Sequence, residues 1–340
     1  MTTLTLGRTG LVINKDAFGA LPLQRASRAE AALILDRALD AGINFIDTAR
    51  AYTDSEEKIA EALAHRRSEY FIATKTMAKD SAAFWKDLNT SLRTLKTDCI
   101  DIYQIHNPSV IPRPEDGSGL YEALQMAQHQ GKIRFIGVSN HRLDLAKEAA
   151  ESGLYDTLQF PFSYLSDEKD TEAVRCCARN NVGFIAMKAL SGGLLTDIFA
   201  ARAYMSDFDN VAPIWGIQRA EELDLLIEAM RRPAELTDLQ RARIEADRAE
   251  LRGDFCRGCG YCAPCPADIQ IFICARMSLM TGRMPLERVL SDEFRSLMEK
   301  TRDCIECGVC ASKCPYGLNP PELLKRNYEA YKVFLSACDA

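Results

Sequence analysis

The stretch FIDTARAYTDSEE (residues 45–57) decides the fold, because a buried strand, a loop and the start of a helix follow one another within it. Its apolar first residues predict a strand that ends at Asp47. Tyr52 lies on the loop, and Asp54 with Glu57 three residues later predicts a helix that begins with a capping box. The stretch therefore places a carboxylate at the C-terminal edge of a strand and a phenol just beyond it. Barrels of alternating strands and helices carry their active sites at that edge.

The next two predicted strands bring a cation and an imidazole to the same edge. The strand at residues 71–74 is followed by Lys75, and the strand at residues 100–105 is followed by His106. Each residue alone has an ordinary explanation, since aspartates cap turns, most lysines are solvated and a histidine after an apolar strand is often a hydrogen-bonded core residue. Four polar groups that converge on one rim favour a catalytic site over these separate explanations.

Composition limits the class of protein. With 340 residues and 47% hydrophobic residues, the chain can bury a real core, as one large domain plus a small one or as two medium domains. The net charge of −6, with no basic patch, argues against a nucleic-acid or anionic-membrane partner. The first residues do not read as a signal peptide, and no run approaches the roughly 20 apolar residues that span a bilayer. The sequence therefore predicts a soluble cytoplasmic protein.

Short strands alternate with helices up to about residue 230. The predicted strands lie near residues 17–19, 44–47, 70–74, 100–105, 133–139, 157–160, 183–187 and 211–214. The predicted helices lie near residues 28–41, 55–64, 82–95, 120–130, 143–152, 171–180, 199–205 and 220–229. Eight strand–helix units predict a closed (β/α)8 TIM barrel, with a hairpin at residues 3–13 that closes its bottom. An open doubly wound sheet is the alternative, but no G-x-G-x-x-G follows the first strand.

Eight of the 13 cysteines form two runs near the C-terminus. The runs are Cys256-x2-Cys259-x2-Cys262-x2-Cys265-Pro266 and Cys304-x2-Cys307-x2-Cys310-x3-Cys314-Pro315. In a cytoplasmic chain this spacing indicates metal rather than disulfides. The second run resembles the bacterial [4Fe–4S] ferredoxin pattern, in which the fourth cysteine of each run ligates the other cluster, whereas the first run is one residue shorter. A pair of four-cysteine zinc sites is the alternative, although zinc ribbons usually show two separated C-x2-C pairs.

The ferredoxin resemblance implies how the cysteines divide between two clusters. One cluster would be held by Cys256, Cys259, Cys262 and Cys314, and the other by Cys304, Cys307, Cys310 and Cys265. Thiolates suit iron–sulfur clusters because they are soft, strongly donating ligands. The other five cysteines are expected to be core or surface thiols.

Asp47, Tyr52, Lys75 and His106, in this order and strand context, resemble the tetrad of the aldo-keto reductase family. The resemblance covers roughly residues 3 to 230. It also includes LGRTGL at residues 6–11, DTA at 47–49, SE at 55–56, GVSN at 137–140, MK at 187–188 and GG at 192–193. With the cysteine runs, the whole chain is similar to the iron–sulfur branch of that family.

This resemblance implies four segments. A barrel would span residues 1–232, followed by a connecting helix at 233–253 and an α-helical ferredoxin-like domain with two [4Fe–4S] clusters at 254–317. A C-terminal helix at 318–340 would pack back.

The resemblance also implies the reaction, which is NADPH- or NADH-dependent reduction of an aldehyde or ketone, or the reverse oxidation of an alcohol. Tyr52 would be the general acid, and the cation of Lys75 would lower the pKa of its phenol. Asp47 would anchor Lys75, and His106 would orient the substrate carbonyl. The substrate is therefore expected to be a small-molecule carbonyl or alcohol.

Cofactor contacts follow from the same resemblance. Those that it implies are Ser139, Asn140 and Gln159 for the carboxamide, Met187 with Lys188 at the stacking position, Gly192 and Gly193 for the pyrophosphate, and Gly216 and Arg219 for the adenosine phosphate. Met187 stands where the family often has an aromatic residue, and Trp215 where it usually has proline. Arg219 as a cation for a 2′-phosphate favours NADPH modestly, and a plain turn is the alternative for the two glycines.

A second class of function stays open at this point. Nicotinamide passes two electrons as hydride, whereas each cluster passes one, and nothing in the sequence suggests a flavin. The alternative is a nicotinamide-independent reductase whose clusters deliver single electrons, taken from a ferredoxin or another one-electron carrier, to a substrate in the barrel mouth. Met187 and Trp215 keep this alternative open. A third candidate, an electron-transfer or sensor protein with an inactive barrel, is disfavoured by the intact tetrad.

Overall fold

A computed structural model describes residues 2–251, 255–258, 260–281, 284–314 and 316–338. The chain divides into two compact units. The first comprises Met1–Ser191 and Leu195–Arg243, and the second comprises Gly192–Leu194 and Ile244–Ala340. The division falls inside a helix, Asp238–Leu251, at the place where the sequence predicts a connecting helix.

Eight parallel strands close into a barrel in the first unit, which confirms the predicted fold class. A two-stranded antiparallel hairpin, β1 and β2, precedes the barrel strands β3 to β10. The strands are β1 Thr3–Thr5, β2 Val12–Asn14, β3 Ala17–Gly19, β4 Phe45–Asp47, β5 Phe71–Thr76, β6 Ile100–His106, β7 Ile133–Ser139, β8 Thr157–Pro161, β9 Gly183–Met187 and β10 Val211–Gly216. Around the barrel, β10 pairs with both β9 and β3, so the sheet has no free edge.

A helix follows each barrel strand. The helices are α1 Arg28–Asp40, α2 Ser55–Leu63, α3 Ser81–Leu95, α4 Leu120–His129, α5 Leu143–Glu151, α6 Glu168–Arg179, α7 Ile198–Ser206 and α8 Ala220–Met230. Short 3-10 helices lie at Gly7–Thr9, Leu21–Arg25 and Ala64–Glu69. The crossovers that these helices form are what parallel neighbouring strands require.

Helix α2 begins without the predicted capping box, so that detail of the sequence analysis is wrong. Asp54 makes no side-chain cap hydrogen bond. Its carboxylate lies 2.9 Å from the ammonium of Lys58, a buried lysine that also donates to the carbonyl of Leu23. A buried cation needs a counter-charge, and here this need takes precedence over the local cap. Helix α1, by contrast, has a capping box formed by Ser27 and Glu30.

Alternation along the strands separates an apolar floor from a polar rim inside the barrel. Inward residues near the strand starts, such as Phe45, Ala73 and Ile102, form one core with the hairpin. Successive side chains on a strand point to opposite faces, so the residue two positions later points inward again, one layer higher. In β4 and β5 those residues are Asp47 and Lys75. The strand period thus delivers the predicted site residues to the C-terminal mouth.

The hairpin plugs the opposite end of the barrel. Leu6 is completely buried, and a Cβ atom at Gly183 would come within 2.6 Å of its Cγ atom. At Gly7, where φ is +52°, a Cβ atom would come within 2.2 Å of the backbone nitrogen of Gly183. The hairpin therefore packs directly against the backbone at the start of strand β9, and only glycine allows such a close approach at these positions.

The second unit is helical in the part of the chain that the structure describes. Its helices are the C-terminal part of α9 Asp238–Leu251, which begins in the first unit, and α10 Ile271–Cys274, α11 Met277–Met280, α12 Leu286–Val289, α13 Asp292–Glu299, α14 Val309–Ser312 and α15 Pro320–Cys338. The apolar stripe of α15, including Leu323, Leu324 and Tyr331, packs into the core of this unit. None of the described helices combines the length and the apolar character that a membrane crossing requires.

Candidate active site

Lys75 and Asp47 form a buried ion pair at the inner mouth of the barrel. The Nζ atom of Lys75 lies 2.7 Å from both carboxylate oxygens of Asp47 and 2.7 Å from the backbone carbonyl oxygen of Thr48. Both side chains are at most 2% exposed. An ammonium group has three hydrogens to donate, so all three of its donors are occupied.

For both Asp47 and Lys75, burial and ion pairing shift the pKa in opposite directions. Burial raises the pKa of the Asp47 carboxyl, while Lys75, Gln159 and Gln104 offset part of that rise. Burial likewise lowers the pKa of Lys75, and the charge of Asp47 opposes the change. The charged state of each partner therefore depends on the other.

Tyr52 and His106 lie beside this pair. The ammonium of Lys75 is 5.3 Å from the centroid of the Tyr52 ring, and the Tyr52 and His106 rings meet edge to face with centroids 5.9 Å apart. The structure thus brings all four predicted tetrad side chains into one cluster. His106 forms the end of strand β6, next to Ser139 of β7.

The predicted direction of the Tyr52 pKa shift is wrong for this arrangement. Burial raises the pKa of the phenol well above its ordinary value, and the Asp47 carboxylate raises it further. The physical reason is that the phenol is buried beside the Asp47 carboxylate, and both effects oppose a negative charge on its oxygen. Tyr52 is therefore protonated at neutral pH, which is the form that a proton donor needs.

The His106 side chain stays neutral across the pH range in which an exposed histidine would gain or lose its proton. Burial, followed by the charge of Lys75, lowers its pKa to about 3. Its Nδ1 atom is buried and meets no partner among the described residues. A neutral imidazole carries one proton and can donate one hydrogen bond, so His106 can orient a carbonyl oxygen without adding charge to the site.

Two buried residues of the site were missed from the sequence. Gln104 donates hydrogen bonds to Asp47 at 3.3 Å and to Gln159 at 2.9 Å. Glu56 accepts from Thr74 at 2.7 Å and pairs with Arg50. A signal existed for Gln104, because it is a polar residue in an apolar strand, two positions before His106 and so on the same face.

Two cavities in the second unit are lined by the cysteine runs. The lining cysteines are Cys262, Cys265, Cys304, Cys307 and Cys310 in one cavity, and Cys256, Cys262 and Cys314 in the other. Cys259 lies outside the described residues. Among the described residues, no three His, Cys, Asp or Glu side chains converge on one metal-ion position. Sulfurs spread around a cavity fit a polynuclear cluster better than a single zinc ion.

Comparison with known families agrees with both units. The model of the aldo/keto reductase family matches residues 16–243, which is more than half of the chain. This chain belongs to the aldo-keto reductase family. The model of a 4Fe-4S dicluster domain matches residues 255–319. The chain thus joins an aldo-keto reductase segment to a segment that matches a 4Fe-4S dicluster domain.

Several curated relatives of this family member carry oxidoreductase names. It is 29% identical over 206 residues to the uncharacterized oxidoreductase YqkF of Bacillus subtilis, covering 56% of this chain and 66% of that protein. It is 30% identical over 211 residues to L-galactose dehydrogenase of Arabidopsis thaliana, with the same two coverages. It is 35% identical over 159 residues to 6-dehydroglucose reductase of Novosphingobium aromaticivorans, covering 41% of this chain and 51% of that protein. The chain spans about half to two thirds of the length of these relatives.

Solved structures of the family share the barrel. The holo form of aldo-keto reductase AKR11C1 from Bacillus halodurans has a TM-score of 0.65 at 24% identity, and the match covers 73% of this chain and 96% of that one. An aldo-keto reductase from Pseudomonas aeruginosa has a TM-score of 0.59 at 25% identity, with coverages of 67% and 95%.

The carboxamide contacts implied by the family resemblance lie near the tetrad, already hydrogen-bonded. The Ser139 hydroxyl accepts from the backbone N–H of Asn107 at 3.2 Å, and the Asn140 amide donates to the Pro108 carbonyl at 2.9 Å. Gln159 donates to Asp47 at 3.3 Å. Of the three, Gln159 is therefore tied directly to the tetrad.

The remaining cofactor residues of the barrel unit lie at the ends of β9 and β10. Met187 ends β9 half-buried, and Lys188 follows in a left-handed conformation with φ of +59°. Gly216 ends β10, opposite Gly19 of β3. Arg219 is 66% exposed, and its guanidinium lies 3.0 Å from Glu222. A neighbouring carboxylate weakens Arg219 as a phosphate ligand, so a preference for NADPH stays a prediction.

Gly192 and Gly193 have φ values of +79° and +94°. Both belong to the segment Gly192–Leu194 of the second unit. Their backbone is one that only glycine adopts readily, which suits a turn and a phosphate-binding loop equally.

Trp215 faces away from the barrel mouth. Its side chain is 1% exposed, and its indole N–H donates to Asp16 at 3.0 Å. Asp16 also pairs with Arg202 of helix α7 at 2.8 Å. One of the two residues that kept the single-electron alternative open is thus a packing residue between barrel and helices.

Proposed function

We propose that this chain is an NAD(P)H-dependent oxidoreductase that reduces an aldehyde or ketone, or oxidises the matching alcohol, by hydride transfer with Tyr52 as general acid. Two [4Fe–4S] clusters in the second unit would be coupled to this reaction or stabilise the protein. The observation that carries the proposal is the cluster of Tyr52, His106, Lys75 and Asp47 at the C-terminal mouth of the barrel.

Each tetrad side chain has a task that its surroundings support. A bound nicotinamide would supply the hydride. Tyr52, protonated at neutral pH, would give its proton to the substrate oxygen. Neutral His106 would donate a hydrogen bond that orients that oxygen. Lys75, kept charged by Asp47, would stabilise the phenolate left behind.

The carboxamide contacts also support the hydride route. Ser139, Asn140 and Gln159 are buried polar residues on neighbouring strand ends, next to His106. Such amide and hydroxyl groups can hold a nicotinamide carboxamide over the mouth. Met187, Lys188, Gly192, Gly193, Gly216 and Arg219 are the proposed residues for the rest of the dinucleotide.

The cysteines would hold two clusters, which would exchange single electrons when present. We assign Cys265, Cys304, Cys307 and Cys310 to one cluster and Cys256, Cys259, Cys262 and Cys314 to the other. The two cysteine-lined cavities support this division. A ferredoxin or another one-electron carrier is the proposed redox partner. The reducing cytoplasm is the proposed compartment, since it preserves free thiols.

Relatives support a small-molecule carbonyl substrate. Three relatives are named 6-dehydroglucose reductase, L-galactose dehydrogenase and methylglyoxal reductase DkgA. Sugars and small oxo-compounds are accordingly the first substrates to try.

The Tyr52→Phe variant tests the proposal. Loss of the phenolic proton should lower carbonyl reduction by at least about 100-fold, the range of a general acid, while NADPH binding stays intact. Tyr121→Phe is the matched control, because the hydroxyl of Tyr121 on helix α4 donates to the carbonyl of Leu154, on the outside of the barrel. Near-normal turnover of Tyr52→Phe would end the proposed role.

The single-electron alternative retains two supporting observations, Met187 at the stacking position and the pairing of Arg219 with Glu222. Anaerobic titration with NADPH, with iron and sulfide measured on the same sample, separates the two routes. A protein that neither binds nor oxidises NADPH or NADH, yet turns over with reduced ferredoxin or dithionite, would replace the hydride route by the single-electron one.

A further inference from the structure

The carboxylate of Asp47 receives hydrogen bonds from three side chains. Besides the two from Lys75, Gln104 donates to one oxygen and Gln159 to the other, each at 3.3 Å. Gln104 also donates to the Gln159 carbonyl at 2.9 Å, so both hydrogens of its amide are used. The two amides therefore form a bonded bridge under the ion pair.

Packing alone does not account for Gln104. The residue is fully buried in strand β6, and the inward position two residues earlier is Ile102. The amide oxygen of Gln104 meets no partner among the described residues. An apolar side chain would avoid that unpaired oxygen, so packing does not explain an amide at this position.

The ion pair between Asp47 and Lys75 explains what the amide of Gln104 contributes. A buried carboxylate needs donors, and a second cation would compete with Lys75 for it. A neutral amide supplies a hydrogen bond without adding charge. Because Gln104 also fixes Gln159, it orients two of the four N–H groups that face the carboxylate.

We propose that Gln104 is a positioning residue that keeps the Asp47 carboxylate ionised and directed at Lys75. It acts on the reaction only through that pair. The inference rests on the proposed function where it concerns turnover, because Lys75 must be charged when Tyr52 gives up its proton. The other titratable groups that face the pair are Tyr52 on the loop after β4, Glu56 on α2 and His106 on β6.

Gln104→Leu removes the donor with little change in volume. Asp47 should then become protonated at a pH about one unit higher than in the wild type, since a hydrogen bond to a charged group is worth roughly that much. Below that pH Lys75 has no counter-charge, and the ion pair that the reaction needs is lost. The acid limb of the pH–rate profile should therefore move to higher pH, and kcat on that limb should fall about tenfold.

Infrared difference spectra give a readout that needs no turnover. Spectra of each protein minus its Asp47→Asn counterpart isolate the carbonyl band of protonated Asp47 across a pH series. In Gln104→Leu this band should persist to higher pH than in the wild type. If that shift appears although no carbonyl substrate is turned over, the proposed function fails and the positioning role stands.

Gln104→Glu is the second variant, isosteric with the original residue. Its protonated carboxyl can donate one hydrogen bond to Asp47, and its ionised carboxylate repels Asp47. Activity should therefore recover only at the acid end of the profile. This variant decides the question if Gln104→Leu does not fold.

Thr157→Val is the matched control. Thr157 is buried beside the same glycine as Gln104, because a Cβ atom at Gly137 would come within 2.4 Å of the Thr157 hydroxyl and 2.8 Å of the Gln104 side chain. The Thr157 hydroxyl has no partner among the described residues. Its loss should leave the infrared titration and the pH–rate profile unchanged. Unchanged Asp47 titration in a folded Gln104 variant, or an equal shift in Thr157→Val, would overturn the proposal.

Discussion

The ammonium of Lys75 is the most constrained group of the rim, because three oxygens occupy its three hydrogens. For Lys75 to stabilise a Tyr52 phenolate, one hydrogen must turn away from Asp47 or from the Thr48 carbonyl. A bound reactant that drew one of these hydrogens toward Tyr52 would make the phenol a stronger acid. Without a bound reactant, Tyr52 keeps its phenolic proton.

Protonation of His106 should link stability to pH. Its pKa is about 3 in the folded chain and about 6.5 when exposed, so below pH 6.5 the unfolded state binds a proton that the folded state does not. Stability is therefore lost as pH falls from 6.5 toward 3, by up to about 2 kcal/mol at pH 5. Denaturant unfolding of His106→Gln at pH 7 and pH 5 should show a smaller loss than the wild type.

His129→Gln, on the exposed side of helix α4, is the matched control and should follow the wild type. Equal pH dependence of the wild type and His106→Gln would mean that His106 is not held neutral by burial.

Single residues were predictable from the sequence where strand ends fix them. Asp47, Lys75 and His106 end or follow apolar runs, so their common rim follows from topology. The partners of those residues were not predictable, because they depend on which side chains meet across the barrel. Gln104 and Thr48 are examples, and burial beside Asp47 reversed the expected pKa shift at Tyr52. The pairing of Arg219 with Glu222, three residues apart at a helix start, was readable and was missed.

The strands determine the shape of the site. Their inward residues are apolar near the strand starts, and the polar inward residues lie one layer higher, at the C-terminal mouth of the barrel. The strand bounds were close to those predicted, because alternation and length are local signals. The missing capping box at Asp54 shows where such signals fail. The ammonium of Lys58, four residues after Asp54, takes that carboxylate as its counter-charge, and it is buried because it also donates to the carbonyl of Leu23, 35 residues earlier.

Leu6→Ala should destabilise the barrel without harming its chemistry. Leu6 is completely buried in the plug, so its truncation leaves a cavity that costs about 2–5 kcal/mol. Activity at a temperature where the variant is folded should be near normal, because the plug lies at the opposite end from the rim. Unfolding free energy and kcat measured on the same sample check both parts.

Val12→Ala, in the same hairpin but 54% exposed, is the control and should change stability by no more than about 0.5 kcal/mol. Similar losses in Leu6→Ala and Val12→Ala would contradict a tightly packed plug.

At the scale of the whole molecule, the chain joins a family barrel to a dicluster segment, and each unit has its own core. Cysteine spacing predicted the second unit because cluster ligands lie close together in sequence. It could not predict how the two cavities share Cys262, which lines both. Helix α15 also lines both cavities, with Leu324 in one and Leu323 in the other.

Cys307→Ser should remove one cluster and leave the other. The wild type should contain about eight iron atoms per chain and the variant about four, since each [4Fe–4S] cluster holds four. Cys338→Ser is the matched control, because Cys338 is equally exposed but lies outside both runs. Iron and acid-labile sulfide, measured after anaerobic reconstitution, check the result. Full iron in Cys307→Ser would refute its assignment as a ligand.

The sequence contains two tryptophans, Trp85 and Trp215. Trp215 lies at the join between the last and first barrel strands, where it pairs with Phe18 and its indole is bonded to Asp16. In a Trp85→Phe background, fluorescence would come from this one indole. The fluorescence of Trp215 would thus report whether the last and first barrel strands stay paired. A red shift of the Trp215 emission would show that water has entered between these two strands.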